Sequence, residues 1–271
     1  MAADQELVEQ QGLVWASLAD VGRPLTEAEW KTPTEVPGWS VQDNLVHVTA
    51  LEWRLLGRPE PDHPIPDDLP HLRNEFGRSN EVFVDSRRSG SGADALAEFE
   101  AVTGQRLTDL ARLGPDGFGA ESWTPVGPGT VRDLLPFRIF DAWVHEQDMR
   151  RAVGKPGDLD GPVADAAMTR ILAALPFVVG KKAAAPDGAT VVVDLAPPLA
   201  ERVAVIVEGR ARRLERIPDA PSVRVRTDGE TFARLACGRL DPAAVLAGDR
   251  VTLEGDATLG RRVVEELNFL F

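Results

Sequence analysis

Apolar positions recur at helical spacing along most of the chain and give way near residue 190 to short β-branched runs. Leu7, Val14, Trp15, Leu18 and Val21 predict a first core helix, which Arg23-Pro24 ends. Val41, Leu45, Val48, Leu51 and Leu55 make the buried face of a second, with Ser40 as N-cap and Asp43 at N3 in a box-like arrangement. Leu72 to Arg87 and Ala93 to Leu113 read as two more, joined at the Gly-Ser hinge Ser89-Gly90-Ser91-Gly92. The latter turns Leu96, Phe99, Leu107 and Leu110 inward. A Gly- and Pro-rich loop over 114–130 leads through a second cap-like pair, Thr130 and Asp133, to a helix centred on Phe137 to Arg151. Gly154-Lys155-Pro156-Gly157 stops that helix, and Val163 to Val179 supplies the last of the series.

Beyond Thr190 the pattern changes to Val191-Val192-Val193, Val203 to Val207, Ser222 to Thr227 and Arg250 to Leu253, which predict strands. Helices from Glu230 to Cys237 and from Ala257 to Phe269 interrupt and close this part, and Val263, Val264, Leu267, Phe269, Leu270 and Phe271 are expected in its core. The shift in pattern places a domain boundary at 182–188, giving a helical domain over 1–182 and a smaller α+β domain over 188–271.

Composition narrows the function. The net charge of −13 argues against a protein that tracks nucleic-acid phosphates, since such proteins gain affinity by neutralising them with Lys and Arg. The single cysteine, Cys237, excludes a disulfide framework and a multi-cysteine zinc site, and its setting on a short, partly apolar helix predicts a buried small residue. No apolar run approaches the roughly 20 residues of a membrane span, and Met1 to Glu6 lacks the basic and apolar regions of a signal peptide. A cytoplasmic protein without membrane or nucleic-acid partners is expected; oligomeric state is not legible.

The chemistry concentrates in the helix around Phe140. With about 100° of turn per residue, Asp141, His145, Asp148 and Ala152 line one strip, flanked by Phe137, Phe140 and Val144. A carboxylate and an imidazole at i, i+4 either pair with each other on a helix surface or reach one ion together. His47 stands at the edge of the apolar face of its own helix. His63 and His71 fall in the proline-rich stretch 59–70 and just after it, where exposed loop positions are expected. Arg224, Arg226, Arg234 and Arg239 can meet an anion or pair with surface carboxylates, the latter being the commoner use of alternating Arg.

Three stretches resemble the mycothiol-dependent maleylpyruvate isomerases and their DinB-like relatives. They are Pro37-Gly38-Trp39-Ser40-Val41-Gln42-Asp43-Asn44-Leu45-Val46-His47, Asp141-Ala142-Trp143-Val144-His145-Glu146-Gln147-Asp148-Met149-Arg150, and Gly255 to Arg262. The resemblance spans nearly the whole chain. It implies a DinB-like four-helix-type bundle followed by an α+β sterol-carrier-like domain, with a divalent metal held by His47, Asp141 and His145. The best-known isomerase pattern has Glu where this chain has Asp141, one methylene shorter.

Two nitrogens, one oxygen and an open position suit catalytic Zn²⁺, and a metal of that kind stabilises a bound thiolate. The resemblance makes the thiol mycothiol, used either to isomerise a maleylpyruvate-like keto acid or for S-transfer to an electrophile. Asp148 is read as a group outside the metal's own ligands, taking the second N–H of His145 or pairing with Arg150 or Arg151. A non-catalytic ligand-binding protein, and a metal-water hydrolase with Glu146 or Asp148 as base, are the alternatives.

Overall fold

The computed structural model describes residues 2–270, so Phe271, expected in the core, lies outside the described residues. The chain divides into two compact units, one up to Asp158 and one from Leu159 onward.

The first unit contains α1 (Ala2–Gly22), α2 (Glu27–Trp30), α3 (Val41–Leu55), α4 (Glu75–Arg88), α5 (Gly92–Ala111), α6 (Pro115–Phe118), the hairpin β1 (Glu121–Thr124) and β2 (Gly127–Thr130), and α7 (Val131–Ala152). Helices α1, α3, α5 and α7 form a bundle in which α1 packs on α5 and α7, and α3 on α5 and α7, with α4 laid against α3. Val14, Leu18, Leu45, Val48, Phe99, Leu110 and Ile139 are buried between them. The caps follow the sequence expectation. Ser40 and Asp43 close a reciprocal capping box on α3, as Thr130 and Asp133 do on α7, each satisfying backbone N–H groups that a helix start leaves without partners.

α7 therefore begins six residues ahead of the expected core of the helix and carries Pro136 within it. The loop expected over 114–130 is instead a helical turn and a tight hairpin, with Thr124 bonding the carbonyl of Gly127 through its hydroxyl. The Gly-Ser hinge is a close packing point. A Cβ on Gly92 would stand 2.0 Å from Cγ of Trp30, so only glycine lets α5 start there.

The second unit contains α8 (Gly161–Ala173), α9 (Leu175–Phe177), a π-helical turn (Val178–Lys182), β3 (Thr190–Ala196), β4 (Glu201–Glu208), β5 (Arg210–Leu214), β6 (Val223–Asp228), α10 (Gly229–Ala236), α11 (Pro242–Ala247), β7 (Thr252–Gly255) and α12 (Ala257–Glu265). The strands form one sheet in the order β5-β4-β3-β6-β7, with β3 and β6 parallel and the other pairs antiparallel. Val191, Val193, Val223 and Val225 pack on one face of it with Phe232, Leu235, Val263 and Val264 in the unit's core. A helical part followed by a sheet part is the fold class that the sequence implies.

The boundary lies earlier than 182–188. α8 packs against α10, and α9 and the π-helical turn against β4, β5 and α12, so the helix read as the last of the bundle belongs to the sheet unit. A change from helical to strand pattern marked a later place, because an α+β unit carries its own helices; the seam follows Asp158, just after the 154–157 stop. The same region corrects the expectation about apolar length. Gly161–Lys182 is long and apolar enough, by length and composition, to cross a membrane, with half of its most apolar window buried inside the fold.

Candidate metal centre

His47 and the Asp141–His145 pair come together from α3 and α7, which cross in the bundle. Nε2 of His47 lies 3.5 Å from Oδ1 of Asp141, Nε2 of His145 lies 3.8 Å from the same oxygen, and the three ligand atoms fall within 4.8 Å of one another. A tetrahedral ion with bonds of about 2.0–2.2 Å holds its ligands roughly 3.3 Å apart, so a small contraction closes this set around a metal. It is the one such cluster of His, Cys, Asp or Glu among the described residues.

The stripe of α7 that reads as hydrophilic is largely enclosed, with His145 and Asp148 buried and Asp141 half-buried. Arg138 is 4% exposed, and its guanidinium divides between two helices: Nε donates to Oε1 of Glu52 at 2.8 Å, and Nη1 donates to Oδ2 of Asp141 at 2.8 Å. Arg106 reaches the other Glu52 oxygen at 3.1 Å. One oxygen of Asp141 is thus committed to Arg138, which leaves Oδ1 as the atom facing the two imidazoles. Burial pushes the Asp141 carboxyl up, but Arg138, His47 and His145 outweigh it and hold the group well below the usual carboxylate range. Asp141 is ready to serve as an anionic, one-oxygen ligand.

The tautomer of His145 is set by Asn44, one turn before His47 on α3. Nδ1 of His145 lies 2.6 Å from Oδ1 of Asn44. The Asn44 amide nitrogen donates to the carbonyl of Ser40 at 2.8 Å and to Oγ1 of Thr34 at 3.0 Å, so the oxygen is the end aimed at the imidazole. Nδ1 must therefore carry a proton, which in the neutral imidazole leaves the lone pair on Nε2, facing the site.

Asp148 is fully buried beside this contact. Its Oδ2 lies 3.5 Å from Nδ1 of His145, while Oδ1 accepts from Nη2 of Arg151 at 2.6 Å; Arg151 in turn donates to Glu35 at 2.9 Å. It borders the His145 imidazole and pairs with Arg151, and Asn44 is the nearer partner of that N–H. Glu146 points elsewhere, to Ser17 at 2.7 Å and Arg150 at 2.7 Å. Burial and a hydrogen bond with Asp158 raise its carboxyl to about 7, against the opposing pull of Ser17 and Arg150.

The two loop histidines are not exposed. Nε2 of His63 lies 2.7 Å from Oδ2 of Asp85, and that of His71 lies 3.1 Å from Oε2 of Glu81, a carboxylate with no solvent exposure. Each histidine settles against a carboxylate of α4, His63 within hydrogen-bond reach of Asp85 and His71 at ion-pair distance from Glu81. Cys237 is buried, as expected. Arg224 lies 3.7 Å from Asp194, Arg226 lies 3.6 Å from it and also meets Glu254, and Arg239 donates to the carbonyl of Cys237 at 2.6 Å.

Asn44, Arg138 and Glu52 were missed in the sequence. Asn44 stands inside the Pro37–His47 stretch, three residues before His47 and therefore on its side of the helix, which was the available signal. Glu52 and Arg138 pair across 86 residues, and no spacing rule announces that.

The family model described as the mycothiol maleylpyruvate isomerase N-terminal domain matches residues 12–150. The chain belongs to the mycothiol-dependent maleylpyruvate isomerase family. The model of the isomerase C-terminal domain matches residues 165–262, in agreement with a seam near Asp158. Among solved structures, a mycothiol-dependent maleylpyruvate isomerase matches with a TM-score of 0.58 and 16% identity, over 93% of this chain and 92% of that one. A histidine-to-alanine variant of such an isomerase matches with a TM-score of 0.56, 16% identity and the same coverage. At that identity the likeness establishes a shared fold. No curated protein matches the chain.

Proposed function

We propose that the chain is a metal-dependent enzyme that uses a low-molecular-weight thiol, mycothiol, to isomerise a maleylpyruvate-like keto acid or to transfer the thiol to an electrophile. The observation that carries this reading is the preset ligand geometry, in a chain of this family: Asn44 fixes the lone pair of His145, and Arg138 leaves a single oxygen of Asp141 available. Two imidazole nitrogens and one carboxylate oxygen fit Zn²⁺. Bound there, the ion would supply an open position and lower the pKa of a coordinating thiol.

The chain's own residues provide the rest. Arg138 and Glu52 hold Asp141 from behind, so the carboxylate cannot swing away or take a proton at neutral pH. Phe140 and Val144, both nearly buried on α7, keep water from that side of the helix. The sole cysteine is buried in the other unit, and the nucleophilic sulfur comes with the cosubstrate. In the isomerase reaction the thiolate adds to the conjugated double bond, rotation follows in the adduct, and loss of the C–S bond returns both alkene and thiol. S-transfer leaves the C–S bond in the product and consumes the thiol.

The hydrolase alternative loses its candidates for a base. Glu146 is 1% exposed and bonded to Ser17 and Arg150, and Asp148 is fully buried and bonded to Arg151.

Elemental analysis of the purified protein, combined with mycothiol titration, is the test. Stoichiometric zinc, thiol binding that requires it, and loss of the metal in both His47→Ala and His145→Ala are expected, because three ligands leave little redundancy. Full occupancy in either variant would overturn the ligand set, and metal without thiol binding would overturn the thiol chemistry. Thiol recovered unchanged after turnover of maleylpyruvate marks the isomerase; thiol lost into product marks the transferase.

A further inference from the structure

The two histidines of the cluster are held in different ways. His145 has Asn44 against its Nδ1, whereas Nδ1 of His47 is buried with no hydrogen-bond partner. What lies against the His47 ring is the indole of Trp39, with centroids 4.9 Å apart and planes inclined by 42°. The same indole lies 5.9 Å from the His145 ring, so one aromatic face backs both imidazoles.

That indole is tethered. Its Nε1 donates to Oε2 of Glu81 at 2.8 Å. Glu81 lies on α4 with its side chain enclosed, and it also meets Arg88 at 2.8 Å and His71 at 3.1 Å. A lone carboxylate in such a place is costly, and the two hydrogen bonds from Trp39 and Arg88, with the His71 ring close by, offset the cost and fix its position. Burial pushes its carboxyl up, yet the contacts to Trp39, Arg88 and His71 bring it below the ordinary value, so it stays an acceptor at neutral pH. Gly38, beside Trp39, has φ +82°, and a Cβ there would stand 2.7 Å from Nδ1 of His71. Indole, loop histidine and buried carboxylate pack as one unit.

We infer that Trp39 and Glu81 are positioning residues for His47: the indole fixes the plane of its imidazole, and Glu81 fixes the indole. Trp39 thereby does for His47 what Asn44 does for His145. The inference rests on the metal-site reading above. An imidazole free to turn about Cβ–Cγ offers Nε2 to the ion for part of the time, and restricting that rotation raises affinity without adding a ligand.

The test uses full-length protein with ¹⁵N-labelled histidine, read by NMR of the metal-free imidazoles and by Zn²⁺ competition against a chromophoric chelator. Trp39→Leu is expected to weaken Zn²⁺ binding by about tenfold or more, and Trp39→Phe, which keeps a ring but loses the tether, by less. In both, the His47 resonances move or broaden more than those of His145, which is farther from the indole and still held by Asn44. Glu81→Gln in the Trp39→Leu background adds no further loss, because Glu81 acts through the indole.

Unchanged Zn²⁺ affinity in Trp39→Leu, equal disturbance of both histidines, or additive losses in the double variant would each overturn the inference. Where a Glu81 variant does not fold, the two Trp39 variants decide by the histidine resonances. Failure of the unaltered protein to bind Zn²⁺ would overturn the metal reading alone, since the resonances are recorded without metal.

Discussion

Asn44 and Asp148 compete for the same role at His145, and their distances rank them. The amide oxygen stands 2.6 Å from Nδ1 and the carboxylate 3.5 Å, with the carboxylate also engaged by Arg151. Asn44→Ala should therefore lower Zn²⁺ affinity by roughly 10- to 100-fold, the usual cost of losing the partner of a ligating imidazole. Asp148→Asn should cost less, and isothermal titration of the metal-free variants separates them. Equal losses would return Asp148 to the place given it by its position one turn beyond His145. Of the chemistry at this scale, the three residues that come together, His47, Asp141 and His145, were legible through the Asp-x-x-x-His spacing and the stretch ending in His47. Arg138 and Glu52 were not, because a charged pair reads as surface until a fold buries it, and the exposed reading of His63 and His71 failed for the same reason.

At the scale of elements, α3 carries His47, Asn44 and Glu52 within one helix, so its start governs the register of all three. Ser40 caps it through Asp43, and the Ser40 carbonyl also holds the Asn44 amide. Ser40→Ala removes the side-chain cap and keeps that carbonyl. It should lower stability by about 1 kcal/mol in urea denaturation, within the usual range for a lost N-cap. Metal binding should weaken in parallel as the first turn frays. An unaltered denaturation midpoint would show that tertiary packing of Val41 and Leu45 holds the helix start without the cap. Caps and periodicity made most helices readable in the sequence. β5, with exposed Arg210, Arg212 and Arg213 and no apolar face, gave no such signal and forms because β4 offers it an edge.

At the scale of the whole molecule, the seam at Asp158 determines which fragments fold. A fragment of residues 1–158 keeps α1 to α7 and all three proposed ligands, and should bind Zn²⁺ with a helical circular dichroism spectrum. A fragment of residues 1–182 adds α8 without α10 and the sheet, leaving Ala167, Met168, Ile171 and Leu172 uncovered, and should associate at micromolar concentration in size-exclusion chromatography. A monomeric 1–182 fragment more stable than 1–158 would move the seam back to where the change of pattern suggested it.

The Arg138 clamp on Asp141 has an electrostatic consequence. Arg106, Glu52, Arg138 and Asp141 alternate in sign through successive contacts, so the chain of four sums to zero before any ion arrives. A divalent cation received by two neutral imidazoles then brings a charge that these four groups do not cancel, inside a protein of net charge −13. On the proposed reading, the ion is a local positive charge in an acidic protein. Anionic reactants would be steered to it over the last few ångströms, with an association rate that falls as ionic strength rises.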